Sequence, residues 1–444
     1  MQTSFSLAQL ADPDISEADK ILRACVHCGF CTATCPTYVL LGDEDDSPRG
    51  RIYLIKEMME NAEPARSEVV KHIDRCLSCL GCMTTCPSGV HYMHLVDQAR
   101  AYVEKTYKRP LVDRLVRSAL LRVMTNPKLF RQALWAALPA KPLAPLFDAM
   151  RLKPLAAMLR LAPWRMPRGG RATPSVFPAN GPRRGRVALL SGCVANALAP
   201  DINKAAIRVL TRHGFEVVLA RGEGCCGALA QHMGHEKEAR AAARRNIDAW
   251  TSELEGDGID AIVTTASGCG TTMKDYGFML RHHPGYGGKA ARVARMTQDI
   301  SEFIHDIKYL KYVMRPSIKV AYHAACSLAH GQRVTTAPKE MLARAGFVVK
   351  DIPEGHLCCG SAGTYNMLQP DLANRLRERK IANIHKVMPE LVAAGNIGCI
   401  TQIAAGTQIP VVHPVELIDW ATGGTAPRAL ESLGRSDTLG SRDN

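Results

Sequence analysis

A chain of 444 residues is too long for one ordinary hydrophobic core, and with 46% apolar residues it can fill several, so two to four domains are expected. The formal charge of +14 is concentrated, with thirteen Lys or Arg against two acids, Asp113 and Asp148, between Arg109 and Arg171, and no recognised nucleic-acid fold accompanies it. Sixteen cysteines with no apolar leader at the start argue against disulfides and for metal-bound thiolates in a reducing cytosol, and no run of eighteen apolar residues is present to span a membrane.

In chain order, the polar stretch Met1 to Lys20 leads into Cys25-Val26-His27-Cys28-Gly29-Phe30-Cys31-Thr32-Ala33-Thr34-Cys35-Pro36. Its spacing, C-x2-C-x2-C-x3-C-P, returns at Cys76-Leu77-Ser78-Cys79-Leu80-Gly81-Cys82-Met83-Thr84-Thr85-Cys86-Pro87, every cysteine displaced by 51 positions. Three thiolates on one tight loop can hold three corners of an iron–sulfur cube, and the fourth, before a helix-starting proline, usually serves the other cube. The motif therefore assigns Cys25, Cys28, Cys31 and Cys86 to one [4Fe-4S] cluster, and Cys76, Cys79, Cys82 and Cys35 to a second. Zinc sites are more often two separated cysteine pairs. The 40 residues between Cys35 and Cys76 do not read as strands. Ile52, Ile55, Met58 and Met59 recur at helical spacing after Pro48-Arg49-Gly50-Arg51, a short helix should lead into Cys76, and another should follow Pro87 through His94-Leu95-Val96. A helical ferredoxin is expected rather than a β-hairpin one. Asp43-Glu44-Asp45-Asp46 reads as a solvated loop.

From Arg109 to Arg184, prolines at 110, 127, 139, 142, 145, 154, 163, 167, 174, 178 and 182 should break any long helix. Between them apolar residues such as Leu115, Leu120, Trp135, Leu146, Met158 and Trp164 alternate with arginines. Short basic amphipathic helices of this kind can lie on an anionic membrane surface, pack against a partner subunit, or bridge two domains.

From Arg186 onward the chain repeats itself. Cys193, Cys225 and Cys226 return as Cys326, Cys358 and Cys359 at an offset of 133, and Cys269 returns as Cys399 at an offset of 130. Gly214-Phe215-Glu216-Val217-Val218 before Cys225-Cys226-Gly227 matches Gly346-Phe347-Val348-Val349 before Cys358-Cys359-Gly360. Strands are expected at 187–190, 216–219 and 261–265, with helices at 201–212 and 236–250. The second half repeats this with strands at 318–322 and 347–349 and helices at 339–345 and 371–386. Strand–helix alternation implies a small parallel sheet in each half, with cysteines in the loops beyond the strand ends, where such sheets place ligands.

A thiol without a role would not return at a fixed offset, so the repeated cysteines suit a thiolate-bound cofactor or a docking surface for redox partners. Cys225 and Cys226 are too close in the backbone for a relaxed disulfide with each other. His27, His232, His323 and His356 lie near cysteines, where a lone histidine is more often a surface or capping residue than a ligand. His235-Glu236 lacks the second histidine of a zinc-protease motif, Ala239 standing in its place, and neither a P-loop nor a Rossmann fingerprint is present, Gly285-Tyr286-Gly287-Gly288 following His-Pro rather than a strand.

Twin cluster motifs followed by two Cys-Cys-Gly units resemble the cysteine-rich redox family of heterodisulfide reductase subunits and iron–sulfur subunits of flavin-dependent dehydrogenases. Within it, Leu22 through Cys31, Cys35-Pro36-Thr37-Tyr38, Pro48 through Lys56, Asn246 through Trp250, Thr265 through Gly270 and His356 through Tyr365 resemble the glycolate oxidase iron–sulfur subunits. The resemblance implies α plus α/β architecture: a helical two-cluster ferredoxin domain (1–105), a basic proline-rich linker (106–185), two duplicated α/β Cys-Cys-Gly units (186–315 and 316–430) and a tail (431–444). It further implies an electron-transfer subunit of an oxidoreductase, with glycolate oxidised to glyoxylate on FAD-binding partner subunits, no flavin on this chain, and electrons passed towards a membrane quinone or other acceptor. Residence is expected in the cytoplasm, peripheral on the inner face of the membrane. Lactate or glycerol 3-phosphate as the complex's substrate, or a catalytic thiol/heterodisulfide reductase role, are the alternatives. Cys193, Cys225, Cys226 and Cys269, and Cys326, Cys358, Cys359 and Cys399, are the candidate holders of additional iron–sulfur clusters. Ala266 and Asn396 sit where those reductases often carry a fifth cysteine, which weighs against their non-cubane clusters and disulfide chemistry here.

Overall fold

A computed structural model describes residues 1–167, 174–307 and 309–433, so Arg168 and Arg171 of the basic stretch, and the expected tail from 434, lie outside the described residues. The first part is helical, with no strand among the described residues before Ser175. Helices Pro13–Ala24, Pro48–Glu60, Ser67–Asp74 and Tyr92–Thr106 enclose a core of Leu22, Ile55, Ile73, Leu95 and Ala99. The apolar positions anticipated at 52, 55, 58 and 59 all face it. Pro36 opens a helix directly after Cys35, whereas Pro87 does not: Gly89 turns the chain with φ +65° before the next helix begins at Tyr92.

The acidic run departs from expectation. Glu44–Asp46 is a single 3-10 turn, and Asp46 is wholly buried, accepting hydrogen bonds from Arg51 (3.1 Å) and Arg75 (2.6 Å). Two cations nearby supply the compensation that a buried carboxylate needs.

The basic stretch is more helical than its prolines suggest, with helices Leu111–Met124, Pro127–Ala140, Ala144–Ala149 and Lys153–Leu161. Pro127, Pro145 and Pro154 occupy first-turn positions, where no amide hydrogen is needed, and Pro139 falls in a last turn. Asn126 caps the second helix by accepting from the amides of Lys128 and Leu129.

Beyond it lie two sheets, with strands β1 (Ser175–Phe177), β2 (Gly185–Leu189), β3 (Phe215–Leu219), β4 (Ala261–Thr264) and β5 (Thr297–Asp299), then β6 (Lys319–His323), β7 (Val348–Asp351), β8 (Leu391–Ala394) and β9 (Val411–Val412). The orders are β1-β3-β2-β4-β5 and β7-β6-β8-β9, parallel throughout except for β1, which runs antiparallel to β3. Val187 pairs with Val217 and Ala261, and Val320 with Val349 and Leu391, so the halves share one register. Their central strands are buried on both faces, as the unbroken Val-Ala-Leu runs require. The strands expected in the first half all form, while β1, β5, β8 and β9 were not anticipated.

The halves are fused. Val187, Leu189, Val209 and Val263 of the first pack in the same core as Val320, Tyr322, Leu391 and Ile418 of the second. At its edge, Arg208 (2.8 Å) and Arg212 (3.1 Å) on the Pro200–Arg212 helix donate to the buried Asp419 carboxylate on the Pro414–Ala421 helix. Replacing Asp419 with Ala should cost about 2–3 kcal/mol, because the charge-assisted bonds are lost while both arginines remain able to reach water. A fall in the denaturant midpoint with unchanged slope checks this.

Candidate metal centre

Each N-terminal cysteine loop is bent at the same two places. His27 (φ +55°) and Ser78 (φ +48°) lie 51 positions apart, as do Gly29 (φ +84°) and Leu80 (φ +62°). Left-handed turns between the cysteines point successive side chains at one spot. One small cavity is lined by Cys25, Cys28, Cys31, Cys86 and also Cys82. A second is lined by Cys35, Cys76, Cys79 and Cys82. Burial pushes the Cys79 and Cys82 thiols up, as do the sulfurs around them, and Cys31 rises to about 11 mainly through burial. Soft donors crowded together in this way, most of them buried, have the chemistry that fits iron–sulfur clusters.

The Cys-Cys-Gly loops follow β3 and β7. Gly227 (φ +91°) and Gly360 (φ +90°) are left-handed, and a Cβ there would meet the carbonyl oxygens of Ala239 at 3.0 Å and Ala373 at 2.5 Å. Only glycine permits that approach, which seats the first cysteine pair against the helix Glu236–Glu255 and the second against Pro370–Lys386. The Gly227 amide donates to Cys225 Sγ (3.5 Å) and the Gly360 amide to Cys358 Sγ (3.4 Å). Cys193 and Cys326 follow β2 and β6. Contrary to the loop placement expected from the sequence, Cys269 and Cys399 lie in the first turns of helices Ser267–Lys274 and Ile397–Ala404.

Four thiols gather in each half. Hydrogen bonds from Cys193 and Cys226 hold Cys225 well below the usual thiol range, and Cys226 also contacts Cys269. In the second half Cys326 lies 3.9 Å from Cys358, and Cys359 contacts both Cys358 and Cys399. The two nests face a common cavity lined by Cys193, Cys225, Cys226 and Cys269 from one side and Cys326, Cys358 and Cys399 from the other. Leu77 and Ser78 also line it, and Cys79 packs with Cys358 in one apolar cluster, so the ferredoxin loop sits directly on the second unit. Docking is fixed by Arg281 donating to Asp14 (2.8 Å), a His94–Asp275 contact (2.8 Å), a Thr84–His330 contact (2.8 Å) and Arg375 donating to the Leu40 carbonyl (2.8 Å).

Three features escaped the sequence reading. Arg51 is fully buried and donates to the His72 carbonyl (2.7 Å), Thr37 (3.0 Å), Asp46 (3.1 Å) and, at 3.7 Å, Cys35 Sγ. Its place in a helix rich in apolar spacing was the only clue. His323, expected as a surface or capping residue, is instead 2% exposed beside Cys359 and Cys399, while His356 is exposed and His27 and His232 are half-buried. An apolar chamber of about 430 Å³ lies between the helices of the basic stretch and both units. It shares Met124, Val194, Gly363, Ile397 and Gly398 with the cysteine-lined cavity. Among its few polar residues is Asn366, whose Oδ1 has no hydrogen-bond partner among the described residues.

Comparison with known proteins agrees with this geometry. A family described as a 4Fe-4S dicluster domain matches residues 21–90, and one described as a cysteine-rich domain matches 187–274 and again 320–404. Over 421 residues the chain is 42% identical to the glycolate oxidase iron-sulfur subunit of Escherichia coli (strain K12), covering 95% of this chain and 99% of that one. The chain belongs to the glycolate oxidase iron–sulfur subunit family. More distant from this family member are the probable glycolate oxidase iron-sulfur subunit of Bacillus subtilis, 28% identical over 90% of the chain and 94% of the relative, and the lactate utilization protein A of Bacillus licheniformis, 26% identical over 53% of the chain and 99% of the relative. As a glycolate oxidase iron–sulfur subunit family member it is an iron–sulfur electron-transfer subunit of an oxidoreductase complex. No helix among the described residues is long and apolar enough to cross a membrane.

Arg51 offers a direct check on how the second N-terminal cavity is held. Arg51→Met breaks a buried charge network, leaving Asp46 to Arg75, and should lower stability by about 3–5 kcal/mol. Denaturant unfolding followed by circular dichroism measures it. Loss below about 1 kcal/mol would show that Arg75, with His72 at 3.1 Å, suffices for the carboxylate.

Proposed function

We propose that this chain is the electron relay of a glycolate-oxidising complex, in which FAD-binding partner subunits convert glycolate to glyoxylate and a membrane quinone is the final acceptor. The observation that carries the relay is the arrangement of four cysteine nests side by side, the ferredoxin pair abutting the repeat pair at Cys79 and Cys358. Cys25, Cys28, Cys31 and Cys86 would hold one [4Fe-4S] cluster, and Cys76, Cys79, Cys82 and Cys35 the other. Cys193, Cys225, Cys226 and Cys269, and Cys326, Cys358, Cys359 and Cys399, would hold further iron. Bound clusters supply one-electron exchange, so a substrate that loses two electrons needs more than one such site. The protein's own part is to bury most of the thiols, to set Arg51 and the Gly227 and Gly360 amides against sulfur, and to keep neighbouring nests in contact.

Identity with the Escherichia coli relative along nearly its whole length supports glycolate as the substrate of the assembly. A membrane acceptor is supported by the basic stretch. Leu111 (66% exposed), Leu115 (66%), Trp135 (58%) and Trp164 (75%) stand in water among exposed Arg114, Arg122, Lys128 and Arg165, a composition suited to the interface of an anionic bilayer on the cytoplasmic side. Beneath them, the apolar chamber with its single unpartnered amide oxygen has the character of a site for a quinone head group.

Anaerobic iron and sulfide counting tests the relay. About eight irons would place clusters in the ferredoxin domain alone, and clearly more would load the repeats. Cys35→Ser should perturb the same EPR signal as Cys79→Ser, and Cys86→Ser the same signal as Cys25→Ser. A colourless zinc protein would end the proposal. For the membrane, vesicles of phosphatidylglycerol should co-sediment the chain and phosphatidylcholine should not. Leu115→Glu with Trp135→Glu should weaken that binding at least about tenfold, since burying either side chain is worth roughly 1.5–3 kcal/mol.

A further inference from the structure

The two cysteine-rich units differ at one buried position beside the thiols. β2 is followed by Leu190, which packs with Cys226 in the first unit's core. At the offset of 133 the second unit has His323, the last residue of β6. A leucine in this place makes sense as core filling. An imidazole does not, because it brings two polar nitrogens into a site that water does not reach.

His323 is 2% exposed, and neither Nδ1 nor Nε2 has a hydrogen-bond partner among the described residues. A ring nitrogen of His323 and the sulfurs of Cys359 and Cys399 all lie within 4.8 Å of one another. Lys380, the nearby buried cation, is already engaged, its Nζ donating to the Glu354 carbonyl at 3.0 Å. What remains to satisfy the imidazole is on the side of the sulfurs. Soft thiolate and neutral imidazole donors together suit iron, zinc or copper, and iron is the metal consistent with the family to which the chain belongs.

We propose that the second unit's nest is a mixed imidazole–thiolate iron site in which His323 is a ligand together with Cys359 and Cys399, whereas the first unit's nest has thiolate ligands only. The proposal rests on the reading that the repeats carry iron. Its consequence is an electrical difference between two otherwise matched halves. A neutral nitrogen in place of an anionic sulfur leaves less negative charge at the metal, which raises the reduction potential. The second unit, against which the ferredoxin loop packs through Cys79 and Cys358, thus becomes the more readily reduced of the two.

The test uses the full chain, purified anaerobically, enriched in 57Fe and labelled with 15N-histidine. Pulsed EPR of the reduced protein should show one centre with the strong nitrogen coupling of a directly bound imidazole. His323→Leu, which copies the first unit, should abolish that coupling while leaving the signals of the N-terminal pair unchanged. His323→Cys should keep the iron, lose the coupling and lower the midpoint potential of that centre. Iron clearly above about eight per chain with no strong nitrogen coupling, or with a coupling that persists in His323→Leu, overturns the assignment of His323 alone. Iron that stops at about eight overturns the loading of the repeats as well, and zinc at the nest overturns the iron assignment.

Discussion

Sulfur atoms from a segment as short as Cys25 to Cys31 can face one point only if the backbone reverses between them, and this constraint organises the molecule. The chain meets it with left-handed residues at matched positions, His27 with Ser78 and Gly29 with Leu80. Three of those four carry side chains that dislike the conformation, so each loop is held by its surroundings rather than by local preference. Helices packed on Leu22, Ile55, Ile73 and Leu95 provide that support, and the buried Arg51–Asp46 network closes the gap between the loops. In the repeats the same demand is met differently, by one glycine after each cysteine pair, set against a helix carbonyl that leaves no room for a side chain.

Much of this was legible in the chain. The cysteine spacings, the duplication at 133 and the strand–helix alternation follow from periodicity and from chemistry that needs several sulfurs at once. The helices at Pro48–Glu60 and Pro200–Arg212 announce themselves by their apolar spacing and a starting proline. Long-range compensation was not legible. Asp46 belongs to an acidic run that looks solvated, and only the fold brings Arg51 and Arg75 to it. Likewise β9 is two residues long, too short for any pattern, and becomes a strand because β8 offers it an edge. The prolines between 110 and 182 looked like breaks, yet several are helix starts, since a proline lacking an amide hydrogen is harmless in a first turn.

The duplication is also less symmetric than its spacing. Both halves keep the strand order, the register and the glycine after the cysteine pair, but the first adds the antiparallel β1, and the pair Leu190 and His323 fills the same position with opposite chemistry. Matching scaffolds with unlike linings make the two neighbouring thiol nests unequal.

The seating of Cys79 on Cys358 bears on how the protein matures. The second nest lies beneath a loop from the N-terminal domain, which rests there on the Cys79–Cys358 cluster and a few polar contacts, while the cores of both halves are continuous. Any metal bound there has its way in beneath the N-terminal domain rather than between the halves, which makes the docking of that domain the closing step of assembly.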